Sequence, residues 1–195
     1  MTLVMLLAIA AGLGKTHPPV PVRTCDTLRP VATGTVAAIW REPPPYPGYY
    51  SYHKYPGSME YCHNGQVMRR GFAKLDATPL SESLDITYAA FHYYQPSNAP
   101  ICSTRLMIIE RDPEVAEARP LFDSYLNGIG DTIASDRAGW VRAEFTRGLD
   151  LLQASRTRGW FAVGVISTSG RYGYAYGMEG PFPPFLEVGY ARTCN

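Results

Sequence analysis

Turn-forming residues interrupt this chain so often that an all-β fold is the first consequence of its sequence. Eighteen glycines and 17 prolines are spread over 195 residues. Proline removes a backbone donor, and glycine raises the entropic cost of a helix interior. Long helices do not fit between such breaks, whereas short strands joined by turns do. With 46% hydrophobic residues the chain can build one real core, and its length suits a single sandwich or barrel with an appendage.

Alternating and β-branched patterns predict strands over 31–40, 66–75, 85–94, 104–110, 140–145, 160–167, 172–176 and 185–190. In 85–94 the alternation sets Ile86, Tyr88, Ala90 and His92 on one face and Thr87, Ala89, Phe91 and Tyr93 on the other. Large side chains on both faces suit a strand buried within a sandwich. Ser169-Gly170 reads as a turn pairing 160–167 with 172–176. Asp112-Pro113-Glu114 reads as a helix start running to Ala118, and 146–155 as a second short helix with Leu149, Leu151 and Leu152 inward. About eight strands at short spacing give a jelly-roll-like antiparallel β-sandwich with one or two short helices.

The N-terminus divides into an apolar leader (1–14), a linker (15–23) with Pro18, Pro19 and Pro21, and the sandwich (24–195). The leader carries Leu3, Val4, Leu6, Leu7, Ile9 and Leu13. It is shorter than the roughly 20 residues of a bilayer span but matches a signal-peptide core, with small residues Ala10, Ala11 and Gly12 for cleavage. No positive residue precedes it. Retained, the same run could instead add as a strand to a neighbouring copy, making the chain a filament or coat subunit.

Four cysteines, Cys25, Cys62, Cys102 and Cys194, suit a secreted, disulfide-forming protein. Three pairings are open. Cys25 with Cys194 is preferred because terminal strands of sandwiches often lie together, which leaves Cys62 with Cys102. No cysteine or histidine spacing points to zinc, and His53, His63 and His92 form no metal pattern. No cofactor is expected. Asp123, Asp131 and Asp136 near glycine-rich turns are candidate structural Ca²⁺ ligands, with ordinary Asx turns the preferred reading.

Eighteen basic against 17 acidic side chains leave no field to steer the chain onto nucleic acid or an anionic membrane. No nucleophile, P-loop or dinucleotide motif is present, and Glu110 and Glu144 have nothing to place them at one cleft. Catalysis is therefore not expected.

Binding is suggested by 14 tyrosines, whose flat apolar rings and polar tips suit sugar surfaces. Tyr49 to Tyr55 forms an aromatic loop. If extended, it sets Tyr50, Tyr52 and Lys54 on one side and Tyr49, His53 and Tyr55 on the other. A second group, Arg171 with Tyr172, Tyr174 and Tyr176, makes a stripe along one strand face, opposite Gly173 and Ala175. An exposed stripe is a platform and a buried one is core. Arg156, Arg158 and Arg171 could meet carboxylates of an acidic sugar.

Arg70-Gly71-Phe72-Ala73-Lys74-Leu75-Asp76, then Thr78-Pro79-Leu80 and 84–94, resembles the corresponding stretch of DNRLRE-type extracellular domains. So do Trp140 to Thr146, Trp160 to Val165 and the closing 184–190, so that the resemblance covers 66–190. It implies a secreted β-sandwich related to carbohydrate-binding modules for acidic polysaccharides. The resulting expectation is a non-enzymatic module that binds extracellular polysaccharide or a cell-surface glycan, or mediates adhesion. The alternative is a self-assembling extracellular filament or coat subunit, whose partner is its own copy.

Overall fold

A computed structural model describes residues 25–42, 47–63, 65–80, 84–97, 103–130, 138–169 and 172–190, without the side chains of 62, 63, 126 and 127. The elements in chain order are β1 (Cys25–Leu28), β2 (Pro30–Arg41), β3 (Tyr49–Pro56), β4 (Met59–His63), β5 (Val67–Asp76), β6 (Tyr88–Gln95) and β7 (Thr104–Ile109). Then follow α1 (Ala118–Asp123), β8 (Tyr125–Gly128), β9 (Gly139–Glu144), α2 (Leu149–Ala154), β10 (Trp160–Ser167), β11 (Gly173–Ala175) and β12 (Phe185–Gly189).

Every strand pair is antiparallel, and the strands form two sheets. The small sheet runs β1-β12-β6-β9; the large one runs β11-β4-β5-β10-β7-β8, with β2 on β5 and β3 on β2. The expected all-β sandwich is thus the observed fold class.

The sheets enclose a core in which Leu28 and Leu186 from the small sheet meet Leu75, Leu106 and Val163 from the large one. Ala89, Phe91 and Tyr93 of β6, which the alternation sets on one face, point into this core. Phe91 and Phe161 are fully buried, and burying a side chain of this size contributes about 1.5–3 kcal/mol. At one end two buried pairs close the core. The Tyr93 hydroxyl lies 2.6 Å from Thr104 Oγ1, and Gln95 Nε2 donates to the Tyr61 hydroxyl at 2.6 Å. Polar groups at this depth need such partners.

The large sheet has a second packed face. Val36, Phe72 and Ala162 on its outer side meet Leu121 and Phe122 of α1 and Tyr125 of β8. The Tyr125 ring lies over Gly164, where a Cβ would run into it. The molecule is therefore layered as small sheet, large sheet and a cover made by residues 110–125.

Several local expectations change in three dimensions. The 172–176 segment does not form a hairpin with β10. Both edges of β10 are occupied, by β5 and β7, so β11 crosses over to pair with β4. The helix expected at Asp112 begins at Ala118 instead. Asp112 Oδ1 accepts the Glu114 amide at 2.9 Å in an Asx turn, and Lys54 Nζ takes the carbonyls of Pro113, Glu114 and Ala116 at 2.8–3.1 Å. In α2, Leu152 is buried and Leu149 packs on the core, but Leu151 is 45% exposed, because only the i and i+3 positions share a face. The aromatic loop at Tyr49 is strand β3, registered from Arg41↔Tyr49 to Gly34↔Pro56 on β2.

Cys25 is disulfide-bonded. The side chains of Cys62, Cys102 and Cys194 lie outside the described residues, and the expected pairing falls there. So do the leader residues Leu3 to Leu13, Arg171, Asp131 and Asp136. Among the described residues no helix is long and apolar enough to cross a membrane.

Candidate functional site: an aromatic face on the small sheet

The outer face of the small sheet is built by strand register. In β6 the side chains that alternate with the core set are Tyr88, Ala90, His92 and Tyr94. The register places Trp140 of β9 opposite Tyr94, Arg142 opposite His92, and Phe185 of β12 on the other side of His92. Residues directly opposite on one face are close enough for their side chains to interact.

These side chains form one ring cluster. His92 and Phe185 stack at 4.4 Å with only 7° between their planes. Tyr94 stacks with Phe182 (4.3 Å) and with Tyr176 (5.8 Å), which are themselves 6.2 Å apart. Trp140 meets Tyr94, Phe182 and Phe185 nearly edge-on, at 5.6–6.2 Å. Trp140 remains 49% exposed and Phe182 40%, an unusual state for large rings at the centre of a packed cluster.

The tyrosine stripe continues this cluster. Tyr174 lies 6.4 Å from Tyr176 and 6.5 Å from Tyr172. Gly173 and Ala175 are buried on the opposite side, so the three tyrosines are half-buried and turned outward. Two backbone contacts fix the stripe to the sheet. The Tyr176 amide donates to the Tyr94 carbonyl at 3.2 Å. The Met178 amide donates to Thr33 Oγ1 at 2.9 Å, and that hydroxyl donates to the Gly57 carbonyl at 2.8 Å. The loop bearing Phe182 is thereby pinned to the β2–β3 hairpin.

Polar groups border the rings. His92 Nε2 and Glu187 Oε2 are 2.9 Å apart, and Arg142 bonds the Tyr88 hydroxyl and lies 3.4 Å from Glu144. At the far end Arg69 pairs with Glu60 at 3.1 Å and sits 5.6 Å from the Tyr172 ring centre. Burial, helped by the adjacent Glu60 carboxylate, pushes the Tyr172 phenol above its ordinary pKa. Burial likewise raises Tyr88, with Glu187 adding to the shift. Both hydroxyls therefore stay protonated through the neutral range and can donate hydrogen bonds.

The other expected ligand group is placed differently. Tyr50 packs edge-on to Trp40 at 5.0 Å, and His53 stacks with Tyr55 at 6.1 Å. Tyr52 and Lys54 face the cover of the large sheet, where Tyr52 meets Phe122 at 5.6 Å and Lys54 holds three carbonyls. These residues belong to a different ring cluster from the stripe. Arg156 donates to the Leu84 carbonyl, and Arg158 lies 4.1 Å over Trp160 and donates to its carbonyl, so both are engaged around α2 and the start of β10. Glu110 follows β7 of the large sheet, whereas Glu144 lies on the small sheet. Asp123 lies 3.8 Å from Arg119. Among the described residues no group of three or more His, Cys, Asp or Glu is gathered to hold a metal.

Trp140, Phe182, Phe185, Tyr94 and the His92–Glu187 pair were missed as site residues by sequence reasoning. The alternation had placed His92 and Tyr88 on one face. What it lacked was the register that brings Trp140, forty-odd residues away, beside Tyr94. Comparison of the chain with models of protein families, and with curated proteins, finds no match.

Proposed function

We propose that this protein is an extracellular, non-enzymatic module that binds polysaccharide across the outer face of its small sheet. The observation that carries this reading is a half-exposed Trp140 set among Tyr94, Phe182 and Phe185 on a sheet face rimmed by paired charges and phenols. Sugar rings present flat C–H surfaces that pack on aromatic rings, and hydroxyls that need both donors and acceptors. Rings and rim together supply both. The stripe of Tyr172, Tyr174 and Tyr176 extends the face, which suits a chain of several sugar units better than a single small molecule. The disulfide at Cys25 supports an oxidising, exported environment.

The test is native affinity electrophoresis of the monomeric protein through gels containing soluble polysaccharides, repeated with Trp140→Ala. The expected result is retardation of the wild-type protein and about tenfold weaker binding by the variant. A folded monomer that no polysaccharide retards defeats the proposal.

A further inference from the structure

We infer that the aromatic face takes a neutral glycan chain, of the β-glucan or xylan type, and rejects polyuronates. The inference rests on the polysaccharide reading above and concerns the ligand class of that same face. Its basis is that Arg69 and Arg142, two of the guanidiniums beside the rings, are already engaged by carboxylates. Arg69 is held by Glu60 at 3.1 Å, and Arg142 by Glu144 at 3.4 Å and by the Tyr88 hydroxyl, while His92 Nε2 lies 2.9 Å from Glu187 Oε2. Glu179, on the loop that carries Phe182, adds an exposed carboxylate. Arg29, 5.7 Å from the centre of the Phe185 ring, is the one guanidinium beside the rings with no ion pair among the described residues.

A polyuronate would bring its carboxylates to this rim. At Arg69 or Arg142 each such carboxylate would have to share a guanidinium with a glutamate already in place, Glu60 or Glu144, and the two anions would stand side by side. Like charges brought together act against a partner even where shape fits. A neutral glycan meets no such penalty. Its hydroxyls donate to the free lone pairs of Glu187, Glu144 and Glu60, and accept from guanidinium N–H groups and phenols while the pairs stay intact. Its C–H faces lie on Trp140 and Phe182. The pairing of the rim selects by charge, and the rings select for flat, equatorially substituted sugars.

The experiment is affinity electrophoresis of the whole chain at low and high salt. One set of gels contains hydroxyethyl cellulose or xylan; the other contains alginate or polygalacturonate. The expected result is retardation by at least one neutral polymer, changing less than about twofold with salt because no net charge is neutralised, and none by the acidic polymers. Trp140→Ala should weaken the neutral binding about tenfold. Retardation by alginate or polygalacturonate that disappears at high salt overturns this inference and leaves the polysaccharide reading standing. Retardation by neither set, with the protein folded and monomeric, overturns both. In a second variant, Glu187→Gln with Glu144→Gln, gain of binding to alginate supports the charge argument, and unchanged rejection overturns it.

Discussion

The two outer faces of this molecule are both rich in aromatic side chains, and among the described residues a helix-bearing segment covers one while rings of the other stay partly exposed. On the large sheet, Tyr52, Phe72 and Trp160 lie beneath residues 110–125. The cover is fastened by charge. Lys54 holds three carbonyls of the 113–116 turn, Lys74 pairs with Asp112 at 2.9 Å and Glu114 at 2.5 Å, and the Arg70 guanidinium lies 3.8 Å over Phe122 while donating to its carbonyl at 2.7 Å. Burial lowers the Arg70 pKa, as expected for a cation taken from water to lie against rings. On the small sheet, Tyr94, Trp140, Phe182 and Phe185 pack on one another and on Tyr176 and His92, and Trp140 and Phe182 stay 49% and 40% exposed. Aromatic content alone thus says nothing about function. What separates a core from a platform is whether another segment of the chain is anchored over the rings.

The comparison is broken most forcefully on the covered face. Phe122→Ala should cost about 3–5 kcal/mol, since a nearly fully buried ring is removed from between Tyr52 and the large sheet. Urea unfolding monitored by tryptophan fluorescence checks it. A loss below about 1 kcal/mol would mean that the cover is not part of the cooperative core.

Lys54→Met should cost about 1–3 kcal/mol, because three carbonyls lose a charged donor together. Faster hydrogen exchange confined to residues 110–125 would show that the cover loosens while the sandwich stays closed.

Lys74 supplies a pH signature for the same fastening. Burial alone would lower its pKa, but hydrogen bonds and charge from Glu114 and Asp112 outweigh it and raise the value above 10.5. A lysine raised in the folded state contributes its full stability below the unfolded value and loses it as pH climbs through the folded one. Denaturant midpoints should therefore fall above about pH 10.5 in the wild type and fall less in Lys74→Met. Equal falls in both proteins would contradict the assignment.

On the partly exposed face the balance is reversed. Trp140→Ala should change stability by about 1 kcal/mol or less while lowering polysaccharide affinity about tenfold. Thermal unfolding and affinity electrophoresis on one preparation separate the two effects. The smallest change is expected at Leu151, 45% exposed on α2, where Leu151→Gln should shift stability by less than about 0.5 kcal/mol.

Much of the strand content could be read from local pattern. The strands at Trp160–Ser167, Val67–Asp76 and Phe185–Gly189 fall within a residue or so of where alternation and turn residues placed them. The Tyr172, Tyr174 and Tyr176 stripe was also legible, because a period of two fixes which side chains share a face. Its orientation was not, since a strand pattern does not state which face another layer will cover. The group around Tyr50 and Lys54 shows the cost of that ambiguity. Its alternation was read correctly, yet Tyr52 and Lys54 turn toward a cover contributed some sixty residues later in the chain.

By itself, the sequence determined an antiparallel all-β chain with short helices, and the face on which each strand residue stands, because steric limits on proline and glycine and the two-residue period of a strand act locally. Only the tertiary structure decided that β11 joins β4, that Trp140 stands beside Tyr94 and Phe182, and that the rings of the large sheet are sealed while those of the small sheet meet water. These outcomes depend on register between distant strands and on which edges are already occupied, and no local property of the chain encodes either.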